Sequence, residues 1–194
     1  MGSDKAFLEL GGRTLLARTL ELAKRVTQRV KIVGDPKKFA PFGHVMADVF
    51  PGHGPLGGIH AALASSKTAW NLVLGVDFPF LDARLLHYLV TQAAASDAIV
   101  TVPRVGGYYQ TLSAVYRQEF ALVAERAIET DKNKIDALFP QVSVRVIDEP
   151  ELAGAGFDST VFRNLNTPED WEQAKQAFGL SFPAFMMNKI PGKT

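Results

Sequence analysis

Apolar positions recur along this chain in two alternating rhythms. Over residues 13–26, Leu15, Leu16, Leu20, Leu22, Ala23 and Val26 fall at helical spacing and predict an amphipathic helix. Apolar runs of strand length follow at 29–33, stopped by Gly34-Asp35-Pro36, and at 45–50, closed by Pro51-Gly52. Residues 56–65 read as a small-residue helix entered through Pro55. Residues 70–76 carry Leu72, Val73 and Leu74 in succession, as a strand covered on both faces does. Then come a helix (83–95), a strand (97–102), an alternating extended stretch (109–116), a helix (119–130), a strand (142–147) and a helix (168–178) capped by Thr167, with Pro168 in its first turn. This order predicts an α/β fold of three layers, a mostly parallel sheet with helices on both faces. Phe182, Phe185, Met186 and Met187 lead us to expect that the tail packs on the domain. No repeat, linker or low-complexity segment divides the chain, so 1–194 reads as a single domain. Sheets of this kind usually open on a buried strand and a tight turn. Here Met1-Gly2-Ser3-Asp4-Lys5 comes first, so either the fold lacks that strand or the sequence begins downstream of it.

Composition narrows the function. With 194 residues, 47% hydrophobic and 21% charged, the chain can bury a sizeable core. A net charge of +1 with no basic stripe argues against a nucleic-acid partner. No apolar run approaches the roughly 20 residues of a membrane span, and the N-terminus is too polar for a signal peptide. Both point to a soluble, cytoplasmic domain. The absence of cysteine excludes disulfides, thiolate zinc sites and cysteine nucleophiles. Neither GxxxxGK[ST] nor GxSxG nor HExxH occurs.

Four segments hold candidate chemistry. Gly52-His53-Gly54-Pro55-Leu56-Gly57 matches GxGxxG, with Asp77 following at the spacing of a ribose-binding acid, which is the pattern of an NAD-binding oxidoreductase. Against that reading, a helix and two strands come before it, and Asp48 and Pro51 interrupt the strand leading in. Alternatively, Gly54-Pro55-Leu56-Gly57-Gly58 opens a helix whose free N–H groups meet a flat ligand, or simply makes a close-packed turn. Asp77, at the end of a buried strand before Phe78-Pro79-Phe80-Leu81, lies where open α/β sheets bind ligands. One carboxylate with substrate phosphates is a usual way to hold Mg²⁺, and a turn-forming role before Pro79 is the plainer reading. Lys5 is a point charge suited to a phosphate, though most single lysines are only solvated. Asn164-Leu165-Asn166-Thr167-Pro168 sets two amides just ahead of a capped helix, or merely turns the chain. His44, His53, His60 and His87 form no metal set and read as ordinary histidines.

In this order, Met1-Gly2-Ser3-Asp4-Lys5-Ala6, Gly54-Pro55-Leu56-Gly57-Gly58-Ile59, Asp77-Phe78-Pro79-Phe80-Leu81 and Asn164-Leu165-Asn166-Thr167-Pro168-Glu169-Asp170 resemble the MobA-type molybdenum cofactor guanylyltransferases over nearly the whole chain. The resemblance implies a Rossmann-like nucleotidyltransferase fold. It also implies Mg²⁺-dependent transfer of GMP from GTP to the terminal phosphate of molybdopterin, releasing pyrophosphate, with other cofactor-biosynthesis or acceptor proteins as partners. Family members open on a strand, a glycine-rich loop and an arginine before Met-Gly-x-Asp-Lys, so roughly 15–20 residues are expected ahead of Met1. Position by position, Lys5 matches the lysine closing the phosphate motif and Asp77 the Mg²⁺-binding aspartate. Asp48 matches an aspartate that helps hold the nucleotide, and Gly57 and Gly58 fall where the base is read. Asp35 stands near a nucleotide-binding asparagine that this chain lacks. Asn164 and Asn166 match asparagines on the pterin side. Val76 and Thr111 depart from the family's usual cysteine and proline. Three rivals remain: a sister transferase using CTP or another NTP, the NAD-binding oxidoreductase, and a silent nucleotide-binding partner.

Overall fold

The computed structural model of the chain describes residues 5–165 and 167–180. Residues 1–4, Asn166 and the apolar tail 181–194 lie outside the described residues.

A 3-10 turn, Lys5–Phe7, leads into a hairpin of β1 (Glu9–Leu10) and β2 (Arg13–Thr14). Gly11 and Gly12 turn it at φ 58° and 74°, the successive left-handed pair that a two-residue hairpin loop needs. Thr14 then caps α1 (Leu15–Lys24), its Oγ1 accepting from Ala17 N at 3.2 Å. The helix expected from Arg13 therefore starts at Leu15, because the hairpin claims the two residues before it. β3 (Ile32–Val33) pairs in parallel with β4 (Val45–Met46), and α2 (Pro36–Phe39) lies between them. After α3 (Gly54–Ala64) come β5 (Trp70–Leu74), α4 (Ala83–Ala94), β6 (Val100–Val105), β7 (Tyr108–Tyr109), β8 (Ser113–Arg117), α5 (Phe120–Glu129), β9 (Val144–Ile147), α6 (Glu149–Gly154) and α7 (Pro168–Leu180).

The larger sheet has the order β5-β8-β6-β7, with β9 on the other side of β6. β6 and β9 are parallel, whereas β8 runs against both β5 and β6. β5, β6 and β9 thus share one direction within a mixed sheet. The reversal at β8 has a simple cause. A parallel return needs a crossover of a dozen or more residues, and the link 106–112 is too short to hold one. The extended stretch expected at 109–116 is accordingly split between β7 and β8.

Helices cover both faces. Strand residues alternate between them, so Val100, Val102 and Tyr116 pack with Leu56, Ile59 and Phe120 of α3 and α5. Val115 and Ile147 meet Leu85, Leu86 and Leu89 of α4, with Leu22 and Val26 alongside. β5 is only half-buried, because among the described residues it has a strand neighbour on one edge only. No helix among the described residues is long and apolar enough to cross a membrane.

A polar staple joins α4, β9 and α6. Arg145 donates to Glu151 Oε2 at 2.9 Å and to Gln92 Oε1 at 3.0 Å, and Tyr88 donates its hydroxyl to Glu151 Oε1 at 2.8 Å. The Arg145 hydrogen bond holds the Glu151 carboxyl below its ordinary 4.5 despite burial, while burial and Glu151 push the Tyr88 hydroxyl up. A carboxyl depressed in the fold stabilises it above the unfolded-state value, and that contribution is lost as pH falls through the folded-state value. Glu151→Gln should cost about 1 kcal/mol at neutral pH, or ~2–4 °C in Tm. Melting curves should show the gap from the parent closing once pH drops below the ordinary 4.5; a gap independent of pH contradicts this.

Candidate active site

The carboxyl ends of the parallel strands in an open α/β sheet face one edge, where ligands bind. Asp77 lies just beyond β5 at that edge. Its carboxylate folds back over Gly75, where a Cβ would sit 2.7 Å from Asp77 Oδ1 and 3.2 Å from Leu112 Cβ. The absent side chain at Gly75 is therefore the space that the carboxylate occupies. Asn164, with its amide nitrogen turned toward Asp77, donates to Oδ2 at 3.1 Å and to the Asp77 main-chain oxygen at 3.0 Å. Leu165 N donates to that same oxygen at 3.2 Å. One of the two predicted asparagines thus touches the aspartate, and among the described residues nothing donates to Oδ1. The segment that carries Asn164 is anchored by a capping box at α7. Asp170 N donates to Thr167 Oγ1 at 3.1 Å and Thr167 N to Asp170 Oδ2 at 3.0 Å.

The donor set says which ion would suit this place. Among the described residues no three or more His, Asp or Glu side chains gather closely enough to share a metal. A single carboxylate oxygen without nitrogen or sulfur ligands fits a hard, water-retaining cation such as Mg²⁺, which draws its remaining ligands from substrate phosphates.

Asp48 follows β4 and ends it early. Its Oδ1 accepts from Phe50 N at 2.9 Å, an Asx turn that replaces the strand expected as far as Phe50. The carboxylate rests on the first turn of α3, where a Cβ at Gly57 would meet Asp48 Oδ2 at 2.8 Å and Phe50 O at 2.9 Å. Gly57 thus makes room for Asp48, whereas a Cβ at Gly58 would make only ordinary contact with Val33 at 3.7 Å. His53 occupies the N-cap of α3 without a side-chain capping bond. The positive end of that helix is accordingly left to Asp48 and to anything bound above it.

The other candidates are placed separately. Lys5 opens the first 3-10 turn, next to Ala6, which is buried against Leu16 and Ile32. Asp35 is exposed and caps α2, accepting from Lys37 N at 2.9 Å. Two features escaped the sequence reading. Gly75 could have been found as a glycine at a strand end just ahead of an acid, a sign of close approach. The other is a 190 Å³ cleft, in which Phe78, Pro79 and Leu81 face Arg13, Arg18 and Arg25 of β2, α1 and the turn after it. Arg13 pairs with Glu21, so three guanidinium groups face one carboxylate. Arg18 donates through Nε to Leu10 O at 2.8 Å and lies over the Phe178 ring. Burial, and then the charge of Arg13, lower its pKa.

Comparison with known proteins adds a family. The model of the MobA-like NTP transferase domain matches residues 1–146. A probable molybdenum cofactor guanylyltransferase of Pelotomaculum thermopropionicum is 34% identical over 177 residues, covering 90% of this chain and 85% of that one. A molybdenum cofactor guanylyltransferase of Desulfosudis oleivorans is 32% identical over 179 residues, covering 91% and 88%. Among solved structures, molybdopterin-guanine dinucleotide biosynthesis protein A of Archaeoglobus fulgidus superposes with a TM-score of 0.81 at 25% identity, covering 92% of both chains. A 2-C-methyl-D-erythritol 4-phosphate cytidylyltransferase of Thermus thermophilus shares the fold, with a TM-score of 0.69 at 18% identity, covering 92% of this chain and 95% of that one.

The two glycines give separable expectations. In Gly75→Ala the nearest obstruction is the end of a side chain, so the fold should hold within ~2–4 °C in Tm while the Asp77 carboxylate swings away from Asn164. In Gly57→Ala a main-chain oxygen must move, which should cost ~1–3 kcal/mol. Crystal structures and melting curves of both variants check this, and an unmoved Asp77 in Gly75→Ala contradicts the first.

Proposed function

The chain belongs to the MobA-like NTP transferase family, and from that premise we propose that this nucleotidyltransferase moves GMP from GTP to the terminal phosphate of molybdopterin and releases pyrophosphate. The observation that carries the reading is the Asp77 carboxylate, placed at a strand end by Gly75 and held by Asn164 with one oxygen open. The names of the relatives supply the choice of guanine and of a molybdenum cofactor acceptor.

Such a transfer brings two anions together, so charge neutralisation and positioning dominate and no covalent nucleophile on the protein is needed. Asp77 would hold Mg²⁺, which when bound lowers the negative charge at the attacked phosphate. The neutral amide of Asn164 fixes the carboxylate without cancelling its charge. That gives Asn164 an orienting role and leaves Asn166 as the residue assigned to the pterin side. Lys5 supplies a compact positive charge to the triphosphate. Asp48 accepts from the nucleoside through Oδ2, which receives no hydrogen bond from the described residues. Base recognition belongs to the corner between Asp48 and the start of α3, with Gly57 making room for the carboxylate and Gly58 keeping the helix surface low. Asp35 enters only as the cap that shapes the turn after β3. A site of this kind discriminates strongly between bases, because a wrong base leaves polar groups unpaired.

Pyrophosphate release from GTP, CTP, ATP and UTP, with Mg²⁺ and molybdopterin, tests the reading directly. GTP should be preferred. Asp77→Asn should lose on the order of 10²–10³ in kcat with Tm retained, and Asn164→Ala about 10–100-fold. Preference for CTP would overturn the guanine assignment, and near-normal turnover by Asp77→Asn would remove Asp77 from the chemistry.

A further inference from the structure

Residues 49–54 run from Asp48 into the first residue of α3, and among them Phe50 packs against the core. Val49 is 62% exposed, and Gly52 and Gly54 take left-handed φ of 97° and 57°. A side-chain contact ties this loop to a distant part of the chain. His53 Nδ1 lies 2.8 Å from Asn133 Oδ1, on the segment after α5. The chemistry of that contact is determined by a neighbour. Asn133 donates its amide nitrogen to Asp131 Oδ1 at 3.1 Å, so the amide oxygen is the atom that faces the ring. An amide oxygen only accepts, and His53 must therefore carry its proton on Nδ1 and donate it.

Both ends of the contact are braced. Asp131 is the one non-glycine among the described residues with a positive φ, 55°. Lys132 N donates to Ala127 O at 2.8 Å, closing the end of α5. Strained backbone of this kind persists where the surroundings over-determine it, and here it leads into the segment that offers Asn133 to His53. On the loop side, the His53 ring stands edge-on to Phe50 at 6.4 Å, and Phe50 meets the buried His60 ring at 4.9 Å. The main-chain nitrogen of Phe50 is in turn held by Asp48. A continuous line of contacts thus runs from Asp131 through Asn133, His53 and Phe50 to Asp48.

We propose that His53 is a positioning residue for the nucleoside. By donating to Asn133 it holds the loop 49–54, with Asp48 and the uncapped start of α3, in the arrangement that receives the NTP. This rests on the reading of the Asp48–α3 corner as the nucleoside site. Released, a loop with two left-handed glycines spreads over other conformations, and apparent affinity falls by the fraction that remains competent. Asp77 and Asn164 stand on other segments, so turnover at saturation is untouched.

The test uses the full-length protein with Mg²⁺ and each NTP, reading Kd by calorimetry and KM and kcat by pyrophosphate release. His53→Ala and Asn133→Ala should each raise Kd and KM ~3–10-fold, the range of a single hydrogen bond, with kcat within about twofold. The double variant should be no worse than either single one, because both remove the same bond. His53→Asn, whose amide nitrogen takes the place of Nδ1 and can still donate to Asn133, should recover most of the affinity. Unchanged Kd in both single variants, additive losses, or a fall in kcat with no change in KM would each overturn the proposal. So would failure of His53→Asn to rescue. If the parent prefers CTP, the guanine reading fails while the same Kd comparison, made with CTP, still decides the role of His53. If the parent binds no NTP, both fall together.

Discussion

On the proposed function Asp77 meets a triphosphate, and a carboxylate in that role has to be held still without being neutralised, which few neighbours can do. A guanidinium would hold Asp77 but cancel its charge; a hydrophobic wall would leave the charge but push the proton equilibrium the wrong way. Here an uncharged amide, Asn164, takes one oxygen and the main-chain carbonyl together, and a missing side chain at Gly75 leaves the other oxygen a place to lie. Much of the architecture serves that corner. The two apolar layers fix the end of β5, and the capping box of α7 fixes the segment that delivers Asn164.

The second carboxylate follows the same logic. Asp48 is turned by a hydrogen bond to its own loop and seated against α3 because Gly57 has no Cβ to stop it. In each case a glycine makes room for an acid of the protein itself. Asp48 also lies beside the start of α3, the positive end of that helix.

Long amphipathic helices were legible in the sequence almost to the residue, because Leu85, Leu86, Leu89 and Ala93 repeat on one face of α4 whatever surrounds them. Strands were harder. Alternation has the same period in parallel and antiparallel strands, so the reversed direction of β8 was visible only in the length of its connection. The hairpin at Gly11-Gly12 was hidden because the helical pattern, read from Arg13, took in its second strand. Asp77, Asp48 and Lys5 stand out in the sequence as candidates because their neighbours form recognisable motifs. Asn164 was found, but its partner was not, since a contact with Asp77 leaves no trace in local spacing. The His53–Asn133 pair, 80 residues apart, is of the same kind.

The central claim is that Asp77, presented by Gly75 and Asn164, is where the protein grips the metal that accompanies the nucleotide. A crystal structure of the full-length protein with GTP and Mg²⁺ tests it most directly. The account predicts the ion ~2.0–2.1 Å from an Asp77 carboxylate oxygen, with Asn164 still on the other oxygen and the nucleoside over the start of α3. An ion bound elsewhere, or a nucleotide seated in the arginine cleft with Asp77 bare, would contradict it.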